Sequence, residues 1–242
     1  MAGLMFKLLR ENLARIVEQH NLGAEEISIR AFPLSPEEAI GNPEERDYPL
    51  VKGRERLMQA EFRGSKGQAY TDMYGDFSGK LSEILEMDLR NNFRRAIFVS
   101  TLNAVMRYLG MVGRTVHCRN EEPRGCAQEL VKYIRQQYGK PKIAFVGFQP
   151  RMVEALSREF ELRVTDLDEG NIGQERFGVR ISGPEENEEV LRWCDMAIVT
   201  GTTLVNDTIG QFRISKPVLY YGVTISGAAK LLQLSHFCYY GH

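Results

Sequence analysis

From Lys140 onward short apolar runs alternate with amphipathic stretches, and this rhythm constrains the fold more than any other feature. Residues 142–148 read as a strand, with Pro150 as the first residue of a helix reaching 160. Strands follow at 162–167, 178–181, 196–200, 217–222 and 236–240. Helices fall between them at 185–193, 203–212 and 225–232. Such alternation predicts an α/β fold, a Rossmann-like and mostly parallel sheet with helices on both faces.

The first part of the chain obeys a different grammar. Residues 5–20 form an amphipathic helix, with Phe6, Leu9, Leu13, Ile16 and Val17 at helical spacing. Residues 26–32 alternate as a strand. The next stretch holds Pro33, Pro36, Pro43 and Pro49, so it is a loop with one helical turn at 36–40. A hairpin is expected from 57–62 and 67–73, with Arg63–Gly67 as its turn. Residues 81–89 fit a helix or a strand. Residues 92–109 are apolar on most sides and predict a buried helix, in which Asn103 must find partners. A helix runs from Cys126 to a stop at Gly139. The expected division is a small α+β domain, 1–112, and an α/β domain, 113–242.

Composition excludes several classes. Charge nearly balances, at −1, and no long basic run marks a nucleic-acid partner. No apolar stretch approaches the ~20 residues of a membrane span, and no signal peptide is visible. Four scattered cysteines do not make a disulfide framework, so the expected location is the cytoplasm, with reduced thiols. A homodimer is the expected assembly, since closed twofold pairs are the commonest.

In open α/β sheets ligands bind beyond the carboxyl ends of the strands. After the 196–200 strand come Gly201, Thr202, Thr203, Asn206 and Thr208, with Thr200 before them. A helix starting there has free N–H groups suited to an anion or a polar ligand, although Thr202 or Thr203 can equally serve as an N-cap. Gly147 and Gln149 follow the first strand. Asp166 and Asp168 end the second, about twenty residues on, where a carboxylate meets a ribose in dinucleotide folds. Asn171 lies just beyond. These acids also fit a solvated loop start. The sequence Val146-Gly147-Phe148-Gln149-Pro150 lacks the further glycines of a dinucleotide fingerprint, which favours a ribose ligand without pyrophosphate, such as S-adenosylmethionine. Gly222 and Thr224 end another strand, Thr224 as the cap of the next helix. Arg54, Glu55, Arg56, Thr71 and Asp72 read as a solvated rim or as the opposite wall of a cleft.

A second chemistry is metal ligation by His117 and Cys118, soft and borderline ligands beside Glu121 and Glu122. Their spacing to Cys126 is not that of a zinc finger, and Cys126 reads as core. Cys194 and Cys238 read as packing residues and Trp193 as an inward aromatic. No nucleophile–base pair stands out, so no reaction is assigned.

One ordered series of segments resembles a known family. It comprises PEEAIGNP, RDYPL, GQAYTD, TLNAVMR, TVHCRNEEP, VGFQP, DLDEGNIG, TGTTLVNDT and YYGVT. The chain is similar to the family of putative heavy-metal chelation proteins. The resemblance implies an enolase N-terminal-like domain joined to a Rossmann-like one, with a site between them. It implies likeness to domains that bind S-adenosylmethionine or pyridoxal phosphate, and a role in heavy-metal chelation or chelator metabolism. A pyridoxal Schiff base would need a lysine, and Lys216 and Lys230 lie in no motif. The ligands implied are therefore a heavy-metal ion, an S-adenosylmethionine-like molecule, or another small polar or anionic compound.

Overall fold

The computed structural model describes residues 2–22, 28–44, 47–48 and 54–242, with backbone alone for Ala2 and for 28–31. The expectations for residues 23–27, 45–46 and 49–53, including the start of the first strand and most of the RDYPL segment, lie outside the described residues.

Two sheets organise the fold. The first has the order β3-β2-β1-β4, all antiparallel, from β1 (Ser28–Leu34), β2 (Arg56–Phe62), β3 (Ser65–Thr71) and β4 (Phe77–Lys80). The β2–β3 turn is only Arg63 and Gly64, not the five residues expected. Both have positive φ, 47° and 79°, the conformation that matches strand twist and closes a hairpin in two residues. Helix α1 (Ala2–Gln19) and the short α2 (Pro36–Ile40) fall where the pattern placed them. Ser35 and Glu38 close a capping box on α2. Residues 81–89 hold a helix, α3 (Leu81–Glu86), while β4 just before it had no clear sequence signal.

Helix α4 (Asn92–Tyr108) is buried from Ala96 to Met106 and lies on β2 and β3. Its approach is set by Gly67. A Cβ there would stand 2.2 Å from Ala104 N and 2.3 Å from Ser100 O. Asn103 finds its partners. Its amide donates to Gln68 O, Val223 O and Thr224 O at 2.9–3.2 Å, and its oxygen accepts from Gly227 N at 2.8 Å.

The second sheet is Rossmann-like, with the order β11-β10-β9-β5-β6-β8-β7. Its parallel members are β5 (Ile143–Val146), β6 (Leu162–Thr165), β8 (Val179–Ser182), β9 (Met196–Thr200), β10 (Val218–Tyr221) and β11 (His236–Phe237). Only β7 (Glu175–Arg176) pairs antiparallel. Successive residues in these strands feed opposite cores. Ala144, Val146, Ala197 and Val199 face one core, which they share with α1, α4 and the inner face of the antiparallel sheet. Ile143, Phe145, Met196 and Ile198 face the other, under α5 (Glu122–Tyr138) and α6 (Pro150–Ser157).

Helices α7 (Asn187–Trp193), α8 (Thr202–Val205) and α9 (Ser226–Leu232) complete the layers. The helix expected at 203–212 is instead α8, of four residues, followed by a 3-10 turn at Ile209–Phe212. Asp207, in the left-handed conformation at φ 58°, breaks it. Trp193 packs against the core that α1 and α4 share. It is half-buried, with the Arg163 guanidinium 4.5 Å from its ring centre. Among the described residues, no helix is long and apolar enough to cross a membrane.

Candidate functional site

Connections leave β5 and β9, which are neighbours, toward opposite sides of the sheet. Their carboxyl ends therefore flank the topological switch point, where ligands bind in such sheets. The antiparallel sheet stands against this edge: Tyr70 N donates to Thr224 Oγ1 at 3.0 Å. Thr224 is thus not the cap of α9 but a tie between the two sheets, and α9 begins with no side-chain cap.

Several expected site residues are committed to local structure. Gly147, at φ 89°, is pressed by its neighbours: a Cβ would fall 2.6 Å from Thr200 Cγ2, and Tyr221 donates its hydroxyl to Gly147 O at 2.7 Å. Gln149 caps α6, accepting from Met152 N at 2.6 Å. Asp166 accepts from Phe148 N at 2.7 Å and Asp168 N at 2.9 Å, and Asn171 reaches it at 3.4 Å. Asp166 therefore staples two strand-end loops rather than offering free oxygens to a ribose. Thr200 accepts from Thr202 N, and Thr203 donates to Thr200 O at 2.7 Å. Thr202 and Thr203 are not N-caps; Gly201 holds that position. Gly201 itself is packed against Ile225, and Thr208 donates to Thr203 O at 3.4 Å.

Gly222 differs. It has φ 89°, and nothing lies within 4 Å of where its Cβ would be. Asp168 accepts from Gly170 N through Oδ1 and is half-buried. Asn206 joins the opposite wall, since Asn92 donates both to Asn206 Oδ1 at 3.1 Å and to Asp72 Oδ1 at 2.6 Å.

That wall was the part least legible in the sequence. Glu55, just before β2, lies near enough to Asp166, Asp72 and Asp168 to feel their charges. Burial first, and then those three carboxylates, push its carboxyl up to about 7. Among the described residues, no ion pair reaches its side chain. Burial also raises Asp166, against the donors that hold it. Tyr70 and Tyr221 are raised by burial, with the Glu55 charge adding to both. The floor is therefore acidic and aromatic. Exposed Met73, Tyr74 and Leu167 adjoin Asp72, Asp166 and Asp168 in the chain. The signal available in the sequence was Glu55 and Asp72 at the two ends of one hairpin, in register at Arg56↔Thr71.

A clasp also escaped the sequence reading. Arg151, 7% exposed on the first turn of α6, pairs with Asp47 at 2.6 Å and Glu154 at 2.8 Å. Its guanidinium also meets the rings of Tyr48 and Phe177.

His117 and Cys118 adjoin the floor at Tyr70. His117 Nδ1 contacts Cys118 O at 2.6 Å, and its ring meets Tyr70 edge-on at 5.6 Å. Burial lowers His117 to about 4 and holds the Cys118 thiol well above its usual value. Cys126 and Cys238 are buried near Cys118, and all four cysteines are free. Among the described residues, no three His, Cys, Asp or Glu side chains converge as a set able to hold a metal ion. Among the described residues, neither His117–Cys118 nor the acidic floor supplies such a set.

Residues 129–215 match the family model DUF364, described as putative heavy-metal chelation. A crystal structure from Pyrococcus horikoshii, of a protein with unknown function from the DUF364 family, is similar over 90% of this chain and 79% of that one. The TM-score is 0.50 at 18% identity, a likeness of fold. A second DUF364 structure, from Desulfitobacterium hafniense DCB-2, gives a TM-score of 0.49 at 14% identity, over 73% of this chain and 72% of that one. No curated protein matches the sequence. The likeness to DUF364 thus rests on residues 129–215 in sequence and on the fold over most of the chain.

Proposed function

We propose that this chain binds a small polar organic ligand between its two sheets, across a domain boundary at 112/113. The contacts in this reading come from Glu55, Asp72, Asp168, Asn206 and Gly222. The observation that carries it is Glu55, a carboxyl held near neutrality against three others, at the switch point of a Rossmann-like sheet. Structural acids are usually paired with cations. This one feels three carboxylates instead.

The charge of the walls selects the ligand. An anion is disfavoured beside four carboxylates, and the four-residue α8 has little dipole to oppose them. Hydroxyls, amines and sulfonium groups suit such walls. S-adenosylmethionine carries all three and is the first probe, with Asp168 rather than Asp166 free to meet its ribose. A part in chelation would then run through an organic chelator or its precursor, not through metal ligands of the protein.

The test is a thermal-shift and calorimetric screen of S-adenosylmethionine, polyamines and adenine nucleotides. A ligand at one hundred times its Kd adds about 2.7 kcal/mol of stability. We expect cationic or neutral polar probes to stabilise and nucleotide phosphates not to. Glu55→Gln and Asp168→Asn should each weaken the bound probe roughly tenfold, the worth of a charge-assisted hydrogen bond. Preferential binding of polyphosphates, or affinity untouched by both substitutions, would sink this reading.

A further inference from the structure

A second cavity, of about 650 Å³, lies between the loop after α4, the face of α9 and the start of β11. It shares no residue with the acidic cleft. Its titratable lining is wholly basic: Arg114, Lys230 and His236, with no carboxylate. In a chain of net charge −1, with acids and bases nearly equal in number, an acid-free basic wall is a departure from the average surface. Among the described residues, neither Arg114 nor Lys230 has an ion-pair partner. Lys216 is the contrast, since it donates to three carbonyls at the end of α7 and the residue that follows.

The wall is held in place. Ser226 Oγ donates to Arg114 O at 2.5 Å, and the next residue, Thr115, donates its N–H to His242 O. The Arg114 guanidinium stands 5.9 Å from the centre of the exposed Tyr239 ring, which limits its swing. His236 Nε2 is 2.9 Å from Gly222 O. As a donor to that carbonyl, the ring keeps Nδ1 as an acceptor. Burial and the Arg114 charge favour this neutral form. Gln233 ends α9 in the left-handed conformation, φ 54°, where glycine costs least, and so keeps an amide side chain on the groove.

We propose that this groove binds a small organic phosphate, with Arg114 and Lys230 on the phosphate oxygens. Arginine offers a planar fork and lysine a point charge, the pair that oxyanion sites use. His236 Nδ1 and Gln233 serve hydroxyls of the organic part. The volume falls in the ~300–1,000 Å³ range of small-molecule sites and exceeds what a bare phosphate fills. Val112 and Leu234 supply the apolar contact for the remainder.

The experiment is titration of the full chain with glycerol 3-phosphate and with inorganic phosphate, at matched ionic strength against chloride. Amide shifts of Gly113, Ser235 and Gly222 are followed alongside the heats. We expect saturable binding of the ester, with shifts at Gly113 and Ser235. The affinity should fall about tenfold or more in Arg114→Gln and in Lys230→Gln. The exposed control Lys132→Ala should leave it unchanged. Both groove side chains are exposed at their charged ends, so the variants should keep the parent melting temperature, which is measured first. No binding above chloride, or affinity unchanged in both groove variants, would overturn the site. Inorganic phosphate binding as tightly as the ester would overturn the organic part. Shifts confined to Gly222 would assign the phosphate to the cleft, against both this proposal and the previous one.

Discussion

Asn103 is fully buried and Glu55 half-buried, both on elements of the antiparallel layer, and they are treated in opposite ways. Asn103 has every group matched, by backbone of β3, of the turn after β10 and of α9. Glu55 has its charge unmatched, facing Asp72, Asp166 and Asp168. A closed polar network rigidifies; one left unbalanced stores free energy that a ligand or a proton can release. The first is a joint that fixes how the sheets meet. The second is the place where that meeting leaves chemistry undone.

The largest effect should come from breaking the joint. Asn103→Ala orphans Gly227 N and removes the donor from three buried carbonyls. At about 1–3 kcal/mol for each unsatisfied buried group, a loss of roughly 4 kcal/mol is expected in urea unfolding. Gly67→Ala attacks the same contact from the strand side. Its methyl would meet backbone of α4 rather than a yielding side chain, so roughly 3 kcal/mol is expected. Losses under about 1 kcal/mol for both would remove the contrast, because the joint would then be as tolerant as the cleft.

Glu55→Gln should act in the other direction. A carboxyl raised to about 7 binds its proton more tightly folded than unfolded. That contribution is complete below the usual carboxylate range and is lost as pH rises through about 7. The wild-type chain should therefore lose stability between pH 5 and 8 at this position, and Glu55→Gln should flatten the decline. At pH 8 the variant should be more stable by about 1–2 kcal/mol, discounted for solvent because Glu55 is half-buried. A stability difference between Glu55→Gln and the wild-type chain that does not grow as pH rises from 5 to 8 would place Glu55 with ordinary surface acids.

The joint was more legible in the sequence than the cleft. An Asn inside a run such as Ile97-Phe98-Val99-Ser100-Thr101-Leu102-Asn103 announces a buried amide, because apolar neighbours fix its depth. The strands of the parallel sheet were legible for the same reason: residues 196–200 are buried nearly throughout, and β9 matches its expected bounds. Glu55 gave no such signal. It stands between Arg54 and Arg56, where a charged triplet reads as rim, and two of the carboxylates that act on it, Asp166 and Asp168, lie over a hundred positions away. Hydroxyls around residues 200–208 looked like ligand groups, yet most bond to their own turn. Local hydrogen-bond capacity is visible in a sequence, but which of it is already spent is not.

The smallest expected effect sharpens the comparison from its other side, because His117 opposes Glu55. Burial lowers the imidazole to about 4, so the folded chain holds fewer protons there than the unfolded one. Its contribution is complete above the usual histidine value, near 6.5, and is lost as pH falls toward 4. His117→Phe keeps an aromatic edge against Tyr70 but gives up the contact with Cys118 O. It should remove about 1 kcal/mol of the stability difference between pH 7 and pH 5. Over that interval Glu55 favours the acid side and His117 the neutral side. Glu55→Gln alone should therefore tilt the profile toward neutral pH, and His117→Phe alone toward acid. Unfolding free energies across the range in both single variants and the double decide it. A double variant with as steep a profile as either single one would mean that neither group governs the slope.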